Sequence, residues 1–194
     1  MPQTGPDRKL TILAVVAHPH DITHMSGTLA NHVERGDSVT AVAMTGGLRT
    51  HREKLYDELR KPPEERDMDV VLQSETAYGE QKSHEMVGVC DLFGITDVRI
   101  MPFPDVPFEA SNEVIETLIE ILYELRPHLI LTHAPMAKPR HGVGYLQHDD
   151  HTQTGMAVVN AIERATVPDA ETDRAPVAVA GVYYTGVDFF TQEA

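Results

Sequence analysis

Histidine and acidic residues are concentrated in two parts of this sequence, and together these groups could bind a catalytic metal ion. Four of the 11 histidines lie within 18–32 and four within 133–151. Imidazole nitrogens and carboxylate oxygens are good zinc ligands, and a catalytic zinc commonly takes three protein ligands and one water. His18 and Asp21 could supply two of these ligands. The third could come from the second group, in which His148 and His151 are three residues apart.

Each group alone also has an ordinary structural explanation. An exposed histidine near a loop is usually solvated, and an aspartate before a helix is usually its N-cap. Position strengthens the metal interpretation, because each group begins where a predicted strand ends. The apolar run Leu10–Ala17 is typical of a strand buried on both faces, and Leu129–His133 is predicted to be another strand.

The rest of the chain alternates between strand and helix patterns. Further strands are predicted at Ser38–Thr45, Asp97–Met101 and Val177–Tyr184, and loops at Lys61–Asp69 and Ala134–Gln147. Helices are predicted at Met25–Arg35, Arg52–Arg60, Glu80–Phe93 and Asp150–Arg164. A further helix is predicted to begin after a cap at Ser111 or Asn112.

This alternation predicts an α/β fold, a single-domain three-layer α/β/α Rossmann-like arrangement around a mostly parallel sheet. We expect one domain over residues 1–194, with the motifs carried by a core at about 10–184. Ligands of open parallel sheets bind beyond the carboxyl ends of the strands. The two histidine groups should therefore converge at that edge, near Gly46-Gly47 and Asp105.

Composition limits the partners and the compartment. The net charge of −14 disfavours binding to nucleic acid. The single cysteine, Cys90, can form no disulfide within the chain, which fits a reducing compartment. The run Leu10–Ala17 is too short to span a bilayer and no small-residue cleavage site follows it. We therefore expect a cytoplasmic protein with no membrane span, and leave a homo-oligomer open.

The motifs at these positions resemble those of the LmbE/PIG-L family of zinc-dependent de-N-acetylases. The family motif Ala-His-Pro-Asp-Asp-Glu corresponds here to residues 17–22, which read Ala-His-Pro-His-Asp-Ile, and its His-Pro-Asp-His motif corresponds to His-Asp-Asp-His at 148–151. Weaker similarities are Thr-Gly-Gly at 45–47, Lys-x-x-Glu at 82–85 and Phe-Pro-Asp at 103–105. The resemblance covers most of residues 10–165.

The resemblance implies hydrolysis of an N-acyl group, most often N-acetyl, on a sugar, a sugar conjugate or a related small amine. A zinc-activated water would attack the linear amide, and Fe²⁺ is an alternative metal because it accepts the same ligands. The implied metal ligands are His18, Asp21 and His151. The implied catalytic residues are His148, which would stabilise the oxyanion and protonate the amine, and Asp150, which would orient His148. The implied substrate-binding residues are Lys82 and Asp105.

The sequence departs from the family pattern where the general base is expected. His20 replaces the first Asp of the pair, and Ile22 replaces the Glu. Histidine can accept a proton near neutral pH, so His20 could be the base. It could also be a fourth metal ligand, or mark a non-catalytic relative that binds a metal or another ligand. A nucleotide-binding flavodoxin-like module is a weaker interpretation, because no Gly-x-Gly-x-x-Gly motif follows the first strand.

Overall fold

The computed structural model describes residues 8–50, 52–135, 149–168 and 173–185, and its centre is a five-stranded parallel sheet. The strand order is β3-β2-β1-β4-β5, so the first strand is central and pairs with β2 and β4. The strands are β1 (Thr11–Val16), β2 (Ser38–Thr45), β3 (Asp97–Phe103), β4 (Leu129–His133) and β5 (Gly181–Thr185).

Helices cover both faces of the sheet and give the predicted three layers. One apolar core lies under α5 and α6, and the other under α1 and α4. The central strand is buried on both faces, which explains why its sequence shows no alternation of apolar and polar residues. The helices are α1 (Ser26–Glu34), α2 (Glu53–Arg60), α3 (Met68–Val71), α4 (Glu75–Leu92), α5 (Asn112–Leu125) and α6 (Asp150–Ala165).

The topology places the carboxyl ends of β1 and β4 side by side. From β1 the chain proceeds to β2 on one side, and it later returns to pair β4 on the other side. This reversal of strand order leaves a crevice beyond the strand ends, where open α/β sheets bind their ligands. His18 follows β1, His133 is the last residue of β4 and His151 lies in the first turn of α6, so these three histidines meet at this crevice.

The predicted fold class is confirmed, and β2 and β4 have the predicted bounds. Other bounds differ for local reasons. The fourth helix begins at Glu75 instead of Glu80, because the hydroxyl of Ser74 caps it by accepting from the N–H of Ala77. The last strand begins at Gly181, which pairs with Leu129, the first residue of β4.

The segment 61–69, predicted to be a loop, contains a short 3₁₀ turn at Pro63–Glu65 and the start of α3. A 3₁₀ turn at Pro19–His24 was also not predicted. Most of the predicted loop at 134–147 lies outside the described residues. None of the helices in the described ranges is long and apolar enough to cross a membrane.

Candidate metal centre

The turn that follows β1 places His18 and Asp21 together. The backbone N–H of His18 donates to Asp21 Oδ2 at 2.9 Å, and the N–H of Asp21 donates to the carbonyl of His18 at 3.1 Å. Pro19 begins the 3₁₀ turn and suits that place, because its fixed φ is compatible with the first residue of a helix. Both side chains are buried, Asp21 completely.

Helix α6 brings His151 to the same place from the far end of the sequence. The second turn of α6 packs closely on the end of β4 because residue 155 is glycine. A Cβ at Gly155 would lie 2.4 Å from the carbonyl oxygen of His133, so a larger residue would force the helix away. The loop after β2 approaches in the same way, since a Cβ at Gly47 would lie 3.3 Å from Pro19.

One ligand atom from each of His18, Asp21 and His151 lies within 4.8 Å of the other two. His18 Nδ1 is 3.3 Å from Asp21 Oδ2, and His151 Nε2 is 3.3 Å from Asp21 Oδ1. The structure therefore brings together the three residues that the sequence proposes as metal ligands. Their role as ligands stays a prediction.

Unpartnered polar atoms test whether this group fits a metal ion. His18 Nδ1, Asp21 Oδ1 and His151 Nε2 are buried and have no hydrogen-bond partner among the described residues. A buried polar atom without a partner costs about 1–3 kcal/mol, so such atoms are uncommon unless a ligand uses them. Two imidazole nitrogens and one carboxylate oxygen are a donor set typical of a catalytic zinc site. The residues present therefore fit the metal.

The carboxylate of Asp150 holds His18 from the side away from these atoms. His18 Nε2 lies 3.0 Å from Asp150 Oδ2, and the backbone N–H groups of Val106 and Phe108 donate to the same carboxylate at 3.1 and 2.8 Å. A carboxylate that accepts from the outer nitrogen of a metal-binding histidine fixes the ring and directs its other nitrogen to the metal. The predicted role of Asp150 in orienting His148 stays a prediction, because His148 lies outside the described residues.

The charges in the site are strongly coupled. Burial disfavours the imidazolium form of His18, but the hydrogen bond to Asp150 and the close contact with the Asp21 carboxylate outweigh it and raise the pKa of His18 to about 9. Burial alone would raise the pKa of Asp21, yet close contacts with the rings of four histidines, those of His133 and His151 foremost, hold it far below its usual range. The surroundings of the two groups therefore favour the ionised form of Asp21 and the protonated form of His18.

His133 is a fourth histidine of the centre, and the sequence motifs predict no role for it. It is buried at the end of β4, where its Nε2 accepts from the N–H of Ala17 at 3.1 Å and lies 3.4 Å from Asp21 Oδ2. Its ring stacks on that of His151 at 4.3 Å between centroids. Burial lowers the pKa of His133 despite the neighbouring Asp21, which favours a neutral ring. The signal in the sequence was its place at the end of a strand predicted beside β1.

His20 lies at the edge of the centre. Its Nε2 is 3.1 Å from Asp21 Oδ1, and its ring is parallel to that of His18 at 5.5 Å. The side chain is 31% exposed, whereas that of His18 is 3% exposed, so His20 faces the side from which a substrate can approach. A proton acceptor and a fourth metal ligand are both compatible with this position.

The two predicted substrate-binding residues have different surroundings. Lys82 lies beside His20 on the wall of a small cavity, and its Nζ is 3.0 Å from Glu85. Asp105 is buried, and its Oδ2 accepts from the backbone N–H of Arg49 and the hydroxyl of Thr50 at 2.9 and 2.7 Å. The described contacts of Asp105 thus hold the loop after β2.

Comparison with known proteins identifies one family. The model described as PIG-L: GlcNAc-PI de-N-acetylase matches residues 13–162. A probable N-acetyl-α-D-glucosaminyl L-malate deacetylase 2 of Bacillus anthracis is 27% identical over 161 residues, covering 81% of this chain and 61% of its own length. The chain therefore spans about three-fifths of the length of this curated relative.

Solved structures show the same fold at low sequence identity. A 4-carboxy-2-hydroxymuconate hydratase from Pseudomonas putida KT2440 matches with a TM-score of 0.72 at 20% identity, covering 91% of this chain and 65% of its own. An N,N'-diacetylchitobiose deacetylase from Pyrococcus horikoshii matches with a TM-score of 0.69 at 19% identity, covering 91% of this chain and 61% of its own. Proteins with different named reactions share this fold, so the reaction must be argued from the site.

Proposed function

Because the chain belongs to the PIG-L family, we propose that it is a metal-dependent de-N-acetylase. Its substrate would be an N-acylated sugar, sugar conjugate or related amine with a linear amide. The main support is the buried group of His18, Asp21 and His151, in which each residue has a ligand atom without a hydrogen-bond partner in the described part of the chain. N-acetylated sugars also occur in the names of the family and of the Bacillus relative.

Zinc is the metal that we propose, with Fe²⁺ as the alternative that the same donors allow. His18, Asp21 and His151 would hold it. When bound, zinc lowers the pKa of a coordinated water and polarises the acyl oxygen. Asp150 would keep His18 in the orientation that leaves Nδ1 facing the metal, and His133 would keep His151 and Asp21 in place by stacking and contact.

The protein side chains would move the protons. His20 would accept the proton of the attacking water, since it lies against Asp21 on the partly exposed side of the centre. His148 would donate a hydrogen bond to the oxyanion and then a proton to the departing amine, as the family motif implies. Lys82 and Asp105 would bind substrate hydroxyls, Asp105 through Oδ1, because both of its described hydrogen bonds use Oδ2.

The non-catalytic alternative is favoured by one observation, the replacement of the usual aspartate base by His20. A protein with this substitution could keep the metal and lose the reaction. The proposal and this alternative differ in what changes at position 20 would do.

The test compares His20→Ala and His20→Asp with the parent protein. Metal content and amine release from N-acetylglucosamine conjugates are measured on the same samples. We expect His20→Ala to keep its metal and lose about 10²–10⁴-fold in kcat/KM, the usual contribution of a positioned proton acceptor. His20→Asp should be more active than His20→Ala. His24→Ala, in the same turn but exposed, is the matched control and should behave like the parent.

Other results would change the assignment. Loss of metal from His20→Ala would make His20 a ligand, and unchanged rate and metal content would remove both roles. An inactive parent with an active His20→Asp variant would identify the non-catalytic relative. Detecting the released amine, instead of substrate loss, separates hydrolysis of an amide from other reactions that this fold supports.

A further inference from the structure

A small cavity borders the edge of the candidate metal centre at His20, and a larger cavity adjoins it at Lys82 and Glu85. The smaller, of about 110 Å³, is lined by Pro19 and His20 and also by Lys82 and Glu85. The larger, of about 240 Å³, shares Lys82 and Glu85 and continues between α2 and α4 to Arg52. A substrate that places its acyl group near His20 could therefore extend through the position of Lys82 into the larger cavity.

Arg52 carries a positive charge on the wall of the larger cavity, and no carboxylate of the described residues forms an ion pair with it, although Glu53 and Glu85 also line the cavity. The guanidinium lies over the ring of Tyr78 at 5.0 Å, and Nη2 donates to the backbone carbonyl of Gln73 at 2.9 Å. Its Nε is buried and has no hydrogen-bond partner among the described residues. Lys82 lies over the same ring at 5.4 Å, but its charge is balanced by Glu85 at 3.0 Å.

This arrangement is unusual for a chain with a net charge of −14. A half-buried cation with only a neutral acceptor has given up part of its hydration without gaining a counter-ion, which costs free energy. The planar guanidinium pairs well with the oxygens of a carboxylate or a phosphate, often through two parallel hydrogen bonds. Tyr78 supports the guanidinium by a cation–π contact and limits its orientations.

We propose that Arg52, supported by Tyr78, binds an acidic group of the substrate, a carboxylate or a phosphate ester, at the end remote from the scissile amide. The inference rests on the proposed function for the bond that is cut, and it narrows the substrate class to acidic N-acylated compounds. A neutral N-acetyl sugar would leave the Arg52 charge unmatched and would bind more weakly.

Anion binding can be measured without catalysis. The protein is freed of metal and desalted, so that an added anion cannot bind to a metal ion. The Arg52 Nε–H resonance is then followed by NMR while succinate or methyl phosphate is added, with succinamide as the neutral control. We expect a saturable shift with one or both anions and none with succinamide. The two anions separate a carboxylate site from a phosphate site.

Substitutions test whether the binding depends on Arg52. Followed through backbone amide resonances of the cavity wall, since the variant lacks the Arg52 Nε–H, Arg52→Gln should weaken anion binding by about tenfold or more, the effect of losing a charge-assisted hydrogen bond. Arg60→Gln is the matched control, since it makes the same charge change at an exposed residue of the neighbouring helix and should leave binding unchanged. Absence of a shift with both anions, or equal anion affinity of Arg52→Gln and the parent, would overturn the proposal.

A kinetic comparison keeps this inference separate from the proposed function. On the metal-loaded protein, Arg52→Gln should raise KM about tenfold for an acidic N-acetylglucosamine conjugate and change little for N-acetylglucosamine itself. If amides are hydrolysed but anions do not bind through Arg52, the subsite is wrong and the proposed reaction stands. If anions bind through Arg52 but no amide is hydrolysed, the subsite stands and the reaction is wrong.

Discussion

The two ends of β1 each carry a buried aspartate in contact with histidine, but the two groups are built for different purposes. At the amino end, Asp37 accepts hydrogen bonds from the N–H of Leu10 at 2.9 Å, from His32 at 2.7 Å and from two nitrogens of Arg35. At the carboxyl end, Asp21 has four histidines around it and no arginine or lysine among its described contacts.

The difference lies in the atoms that remain without a partner. Both oxygens of Asp37 accept two hydrogen bonds, and Arg35 balances its charge. Asp21 Oδ1 has no hydrogen-bond partner in the described ranges, and neither does one ring nitrogen of His18 or of His151. A buried His–Asp contact is thus a structural link when all its polar atoms have hydrogen-bond partners. It is a candidate metal site when ligand atoms of several residues lie close together without such partners.

Histidines also join β1 to β4 at both ends. The N–H of Thr11 donates to His128 at 2.9 Å, and the N–H of Ala17 donates to His133 at 3.1 Å. His128 contacts the guanidinium of Arg8 at the amino end, whereas His133 contacts Asp21 and His151. A histidine that accepts a hydrogen bond from a backbone N–H therefore joins the strands at both ends of β1. At the carboxyl end, the same kind of histidine also contacts the candidate metal centre.

The largest effect on zinc binding is expected when Asp21, whose Oδ1 has no hydrogen-bond partner among the described residues, is replaced. Asp21→Ala should weaken zinc binding by more than about 100-fold, beyond the loss that changes outside the ligand set usually cause. Asp37→Asn should bind zinc as the parent does. Zinc affinity measured by competition with a chromophoric chelator checks both. Full zinc retention in Asp21→Ala would contradict the distinction between the two ends.

A smaller effect is expected at Asp150, which contacts the candidate ligand His18 and not the metal position. Asp150→Asn should weaken zinc binding by about 10- to 100-fold, because the amide cannot accept from His18 and from both backbone N–H groups as the carboxylate does. The measurement is the same chelator competition, with circular dichroism to confirm folding. Parent-like zinc affinity in the folded variant would mean that Asp150 supports the 106–108 loop without affecting the site.

The smallest effect is expected at Asp37, whose two oxygens both accept hydrogen bonds, and it concerns the stability of the fold. Burial would raise the pKa of Asp37, but Arg35, the Leu10 amide and His32 outweigh it and hold the pKa below the ordinary value of 3.8. Asp37→Asn should therefore lower the free energy of unfolding at pH 7 by roughly 2 kcal/mol, as for loss of hydrogen bonds to a charged group.

The pH dependence of that loss follows from the sign of the shift. Since the folded pKa of Asp37 lies below the unfolded value, its stabilising contribution is present above about pH 4 and decreases as the pH falls further. Urea unfolding of the metal-free parent and variant at pH 7, 5 and 3.5 should show the same difference in stability at pH 7 and 5 and a smaller difference at pH 3.5, where the loss begins. A difference that stays constant with pH would assign the effect of Asp37 to packing.

The sequence by itself determined the alternation of strands and helices, apart from the short α3, and the position of His18 and Asp21 just after the first strand. Both follow from local information, namely the apolar runs, the capping residues and a spacing of three residues within one turn. His151 could also be assigned, since its motif begins a helix and follows a strand that was expected beside β1.

Only the tertiary structure decided which partners these residues have. The contact of Asp150 with His18 joins residues 132 positions apart and depends on how α6 and the 106–108 loop meet the end of β1. The position of His133 depends on the pairing of β1 with β4, and the close approach of α6 depends on Gly155. Arg52 lies on a cavity wall only because α2 and α4 pack around it. Contacts between residues far apart in the chain produce no periodic pattern in the sequence. The sequence therefore does not distinguish an aspartate whose oxygens all accept hydrogen bonds, such as Asp37, from one with an oxygen that lacks a partner among the described residues, such as Asp21.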